Sequence, residues 1–162
     1  LIIGVLSVRP DLHDCLIARM EEEFGPIQRV TDPVAFSFTS YYDAEMGANP
    51  HRFFVVFETL LSPDMLASCK QRTNRMEANF AGSNGRTINL DPGILSAENL
   101  ILATTKKRGH RVPLTDGIYA EITLIYQNRS YQSLPWTYAD YASDDFRALF
   151  NTLREQYLKR VK

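Results

Sequence analysis

Residues 52–60 read R-F-F-V-V-F-E-T-L. In an extended chain this puts apolar side chains on both faces, the pattern of a strand covered from both sides. Residues 1–8, L-I-I-G-V-L-S-V, repeat the pattern. Two central strands of this kind need a layer on each face, and the segments around them decide what those layers are.

Pro10 and Asp11 open a helix whose Leu12, Cys15, Leu16, Met20 and Phe24 keep helical spacing, with Gly25 closing it. Cys15 is therefore expected in the core. Residues 27–30 and 34–39 read as two strand pieces broken by Asp32-Pro33, which favours a sheet edge or a bulge. Residues 38–50 form a loop rich in tyrosine and acid. Beyond residue 60, Ser62-Pro63 starts a second helix with Leu66, Cys69, Thr73, Met76 and Phe80 as its buried stripe, ended by Gly82-Ser83-Asn84-Gly85. Residues 86–91 follow as a strand. The order strand–helix–strand–strand–helix–strand defines an α+β protein with a ferredoxin-like split βαβ core.

The remainder adds to that core. Asp91-Pro92-Gly93 is expected to turn, and Ser96 to cap a third helix over residues 97–108, with Gly109 after it. Residues 117–127 and 130–134 read as a C-terminal hairpin joined at Gln127-Asn128-Arg129. Ile118, Ala120, Ile122, Leu124 and Tyr126 are assigned to one face of its first strand, and Tyr119, Glu121, Thr123 and Ile125 to the other. Residues 135–142 are an aromatic loop. Ser143 caps a last helix with Phe146, Leu149, Phe150, Leu153 and Tyr157 on its inner stripe. Residues 1–162 are read as a single α+β domain.

Composition bounds the function. The chain has 162 residues, 44% hydrophobic and 23% charged, with a formal net charge of -1 and a pI near 6.3. A dedicated nucleic-acid binder carries a basic excess, which is missing here. Two cysteines are too few for a disulfide scaffold and point to a reducing, cytoplasmic setting. No run is long and apolar enough to span a membrane. The chain shows no His-Glu-x-x-His, Cys-x-x-Cys or Walker glycine loop, and its histidines, His13, His51 and His110, are scattered.

Several stretches together resemble one family. They are Phe38-Thr39-Ser40-Tyr41-Tyr42 with Glu45-Met46-Gly47, Asn89-Leu90-Asp91-Pro92-Gly93, Ala103-Thr104-Thr105-Lys106, His110-Arg111, Asp116-Gly117-Ile118-Tyr119-Ala120-Glu121 and Pro135-Trp136-Thr137-Tyr138. In this order, over nearly the whole chain, they resemble the family called domain of unknown function 4416. The resemblance implies a stand-alone bacterial or archaeal protein. It brings no catalytic residues with it.

The candidate site comes from the residues themselves. Asn89 and Asp91 share a face of one strand, and Tyr119, Glu121 and Thr123 a face of another. Asp91 and Glu121 are the candidate ligands for a divalent cation such as Mg2+. Lys106, His110 and Arg111, with Asn89, are the candidate ligand-binding set, suited to phosphate or carboxylate. The reading favours binding of an anionic metabolite or nucleotide, with phosphoryl or phosphoester chemistry if the protein is an enzyme. The alternative is a non-enzymatic interaction module, in which a homodimer covers the sheet.

Overall fold

The computed structural model describes residues 1–38, 46–47, 49–83 and 85–161. Tyr41, Tyr42, Asp43 and Glu45 of the tyrosine-rich loop lie outside the described residues. The chain divides into two compact units, Leu1–Pro92 and Gly93–Lys162.

In the first unit, β1 (Ile2–Ser7) is buried along its whole length, as its sequence requires. It pairs antiparallel with β4 (His51–Phe57), from Ile2 opposite Val56 to Ser7 opposite His51. β2 (Ile27–Val30) and the short β3 (Val34–Ala35) both pair antiparallel with β4. The strand order is β2-β4-β1-β5, where β5 is Ile88–Leu95. β4 thus stands between β1 and β2. Asp32-Pro33 falls in the gap between β2 and β3, where the missing proline donor costs no ladder bond.

Two helices cover one face. α1 (His13–Phe24) follows a 3-10 turn at Pro10–Leu12, and α2 (Leu66–Asn79) follows another at Pro63–Met65. Leu16 and Met20 of α1 and Met76 of α2 pack with Ile3, Val5, Phe53, Val55, Phe57, Ile88 and Leu90. Cys15 is not in this core; it is exposed. The stripe is centred on Leu16 and Met20 with Ile17 on its flank, and the neighbour on the other side is turned outward. Gly25 ends α1 at φ 95°, in the region that favours glycine, and its N–H reaches the Glu21 carbonyl at 2.9 Å. On the opposite face of β1, Leu6 packs with Phe36 and Met46, so β1 is covered from both sides within its own unit.

The second unit differs from expectation at its start. Asp91-Pro92-Gly93 does not turn; it runs within β5. Residues 97–108 are not a helix. β6 (Asn99–Thr104) pairs antiparallel with β5, Gly93 opposite Leu102 through Leu95 opposite Leu100. Ser96 does hydrogen-bond forward, but in a hairpin turn: its hydroxyl accepts from the Glu98 and Asn99 N–H groups at 3.2 and 3.1 Å. A short run such as L-I-L-A-T-T fits either period, and the pairing available to it decides for the strand.

β8 (Tyr119–Gln127) pairs with β6, with the short β7 (Val112–Pro113) and with β9 (Ser130–Ser133), giving the order β5-β6-β8-β7 with β9 also on β8. The register slips between Leu100 and Ile101, which face Leu124 and Ile122. That bulge at Thr123 breaks the expected alternation: Glu121, Thr123 and Leu124 are buried and Ile122 is exposed. α3 (Asp144–Arg160) closes the unit. The Ser143 hydroxyl accepts from the Phe146 N–H, and Asp144 and Asp145 at one end and Lys159 and Arg160 at the other oppose the helix dipole. Phe150 and Leu153 face inward. Asn151 of α3 accepts from the Tyr131 N–H at 3.0 Å, and Arg154 donates to the Ala97 carbonyl at 2.7 Å. The last helix thereby holds both hairpins of its unit.

Candidate functional site

Glu121 is the centre of the second unit's polar cluster. The bulge turns its side chain inward, where it is 2% exposed. Its Oε2 accepts from Arg111 Nε at 2.6 Å and lies 2.9 Å from His110 Nε2. Its Oε1 is buried and meets no hydrogen-bond partner among the described residues. A buried carboxylate oxygen without a donor is costly, so the geometry leaves one acceptor to be filled.

Arg111 uses its guanidinium to assemble the surroundings. Besides Glu121, it donates through NH1 to the Lys106 carbonyl at 2.7 Å and through NH2 to the Tyr138 hydroxyl at 3.0 Å. Those bonds fix the 105–111 loop against β8 and the aromatic loop. Three of its five N–H groups are thereby engaged, and Arg111 ties its neighbours together. His110 lies flat on Trp136, ring centroids 4.8 Å apart at 11°. Trp136 is anchored by its Nε1–H on the Ile122 carbonyl at 2.8 Å, and Thr137 by its hydroxyl on the Thr123 carbonyl at 2.5 Å. Trp136 remains 36% and Tyr138 43% exposed. Tyr141 of the same loop is buried and stacks on Phe150. Lys106, Lys107 and Arg108 are exposed in the loop that Arg111 holds.

Asn89 and Asp91 belong to the first unit, and they do share a face of β5. Asn89 Nδ2 donates to Asp91 Oδ2 at 2.8 Å, and Arg52 donates to the same oxygen at 3.1 Å. Desolvation pushes the Asp91 carboxyl up, but the attraction of Arg52 and Lys70 outweighs it and the net shift is downward. The Arg52 guanidinium also lies over the Phe36 ring, 5.5 Å from its centroid. Arg86 donates to Asn89 Oδ1 at 2.8 Å and to Glu77 Oε2 at 3.2 Å.

The six residues picked from the sequence therefore fall into two groups. Lys106, His110, Arg111 and Glu121 are brought together in the second unit; Asn89 and Asp91 are brought together in the first. Each acid already faces a guanidinium, and among the described residues no group of three or more His, Cys, Asp or Glu side chains is placed to hold a metal ion. Sequence reasoning missed Arg52, Lys70, Glu77 and Arg86, because nothing in a helix or strand pattern marks a charge as inward-facing.

These features define a mixed α/β protein with a buried Glu–Arg–His cluster beside an exposed aromatic and basic surface. Residues 1–157 match the family described as Domain of unknown function (DUF4416), and the chain belongs to it. No curated protein and no solved structure matches the chain. No helix among the described residues is long and apolar enough to cross a membrane.

Proposed function

We propose that the Gly93–Lys162 unit binds a small anionic metabolite, and that a nucleotide is the class that suits it best. The observation that carries this reading is Glu121 Oε1, buried and without a donor. A base edge supplies the N–H it lacks. The exposed face of Trp136 supplies a stacking surface, and Lys106, Lys107 and Arg108 supply charge for phosphate. A ligand reaches Glu121 by displacing the His110 ring, which bonds Glu121 and stacks on Trp136. In this proposal Glu121 contacts the base directly, and Arg111, which holds Glu121, serves as a positioning residue.

The test is a thermal-shift series on the intact chain with inorganic phosphate, sulfate, and adenine and guanine nucleotides. A ligand at a hundredfold excess over its dissociation constant stabilises by about 2.7 kcal/mol, a visible rise in melting temperature. Trp136→Ala and the double change Lys107→Gln/Arg108→Gln should each reduce that rise. If no anion shifts the parent beyond the general effect of salt, the proposal fails.

One observation favours an interaction surface instead. Val112, 60% exposed, and Leu114, Ile122, Trp136 and Tyr138 leave a large share of apolar surface in solvent in this unit. Under that reading the chain self-associates in sedimentation experiments and Ile122→Lys abolishes the association.

A further inference from the structure

His13 and His51 are far apart in sequence, but the first unit brings them close enough for the His51 charge to act on His13. His51 and Phe53 alternate onto the same face of β4, and the His13 ring rests against Phe53 with centroids 4.8 Å apart. Each imidazole turns one nitrogen away from solvent. His13 Nε2 and His51 Nδ1 are both buried, and neither has a hydrogen-bond partner among the described residues. A neutral imidazole has one N–H and one bare lone pair. When the proton sits on the other nitrogen of each ring, both buried atoms are lone pairs with nothing to ligate.

We propose that His13 and His51 form a two-histidine site for a borderline divalent transition-metal ion, of the zinc, nickel and copper class. Imidazole nitrogen suits these ions, whereas Mg2+ and Ca2+ prefer oxygen. Among the described residues no third His, Cys, Asp or Glu completes the set. Two ligands from the described residues leave coordination positions for other groups, the pattern of an open site. This site lies in the first unit and stands independently of the anion reading of the second.

The experiment is a calorimetric titration of the metal-stripped chain with Zn2+ and Ni2+ at about pH 7.5, where an imidazole is ordinarily neutral. The parent, His13→Gln, His51→Gln and, as a control, His110→Gln are compared. Even an outer-shell partner is worth roughly tenfold or more in metal affinity, so losing either proposed ligand should weaken binding by at least that factor, while His110→Gln binds like the parent. A second measurement guards against a variant that does not fold: the ring resonances of the parent's histidines are followed by NMR as Cu2+ is added. Those of His13 and His51 should broaden before those of His110. Absence of binding by the parent, undiminished binding by both variants, or first broadening at His110 would overturn the proposal.

Discussion

Lys70 and Glu77, two turns apart on α2, grip the same residue of β5 by its two backbone polar groups. The Lys70 ammonium donates to the Leu90 carbonyl at 2.7 Å, and the Glu77 carboxylate accepts from the Leu90 N–H at 2.7 Å. Both side chains are buried, and their charged atoms stand 3.8 Å apart. A helix here satisfies backbone groups that a neighbouring strand would ordinarily satisfy. Burial pushes the Glu77 carboxyl up, against the pull of Lys70, the Leu90 N–H and Arg86.

Removing one member should therefore cost more than neutralising the other. Lys70→Met strands the Leu90 carbonyl and leaves Glu77 with less compensation, so a loss of about 3–5 kcal/mol is expected. Glu77→Gln keeps an acceptor for the Leu90 N–H and should cost about 1–2 kcal/mol. Urea unfolding of the two variants measures both. Equal costs would show that the ammonium is not holding the strand.

The Arg111–Glu121 pair is expected to behave as a coupled unit. Arg111→Met leaves a buried carboxylate facing only His110 and should destabilise by about 3–5 kcal/mol. The double variant Arg111→Met/Glu121→Gln should be less destabilised than the sum of its singles, with a coupling energy on the order of 1–3 kcal/mol. Additive losses would mean that the two side chains do not depend on each other. Lys107→Gln/Arg108→Gln, in the same loop but exposed, should leave stability within about 0.5 kcal/mol of the parent.

What could be read from the chain followed from local rules that tertiary structure did not override. Ser143 with Asp144, Asp145, Lys159 and Arg160 marks both ends of α3, and the doubly apolar runs marked β1 and β4 as central. The mixture of helices and strands, and with it the α+β class, followed from the sequence of elements. The misreadings came where two periods compete or where a single residue shifts the phase. Residues 97–108 contain an apolar run too short to separate helix from strand, and Ser96 closes a hairpin as readily as it caps a helix. One extra residue at Thr123 puts Thr123 and Leu124, assigned to opposite faces of β8, both inside. The candidate site was legible as a composition, acids and bases close in sequence. Its geometry was not, because Arg111 turns inward on account of Glu121, and Glu121 turns inward on account of a bulge.

The two cysteines give a chemical check on the revised helix α1. Both are free, Cys15 exposed and Cys69 buried, with burial pushing the Cys69 thiol up. Ellman's reagent added to the folded chain should modify Cys15 promptly and Cys69 only after denaturation. Two prompt thiols in the native protein, or none, would contradict the placement of Cys15 on the outer face.

His13 sets a pH dependence of known sign. Its folded pKa is lowered from an ordinary value of 6.5, first by desolvation and then by His51, against Asp11 and Asp14. The unfolded chain therefore binds more protons in this range, and stability rises with pH. The contribution is full above pH 6.5 and is lost as the pH falls through the lower folded value. His13→Gln removes the titration. The stability difference between parent and variant, from urea unfolding at a series of pH values, should shift against the parent as the pH drops below about 6.5. A difference that stays flat would show that His13 titrates alike in both states.

Gly93 explains why the Asp-Pro-Gly sequence runs straight instead of turning. It sits opposite Leu102 at the start of the β5–β6 ladder. A Cβ on Gly93 would lie 2.6 Å from Leu102 Cδ2 and 2.8 Å from the Ile101 carbonyl oxygen. The leucine tip can swing aside, but the carbonyl belongs to the backbone of the paired strand and cannot. Pro92 precedes the first paired residue of that ladder, so its missing donor is tolerated there. Gly93→Ala should force the two strands apart locally and destabilise by about 1–3 kcal/mol, in spite of the stiffer unfolded chain. Gly109→Ala is the matched control. Its added Cβ meets nothing within 4 Å, and its φ is not positive. The same loss of unfolded-state freedom then acts alone and should stabilise by about 0.4–1 kcal/mol. Thermal melts of the two variants against the parent should therefore move in opposite directions, and a Gly93→Ala melt at or above the parent's would remove the close approach to Ile101 as the reason for this glycine.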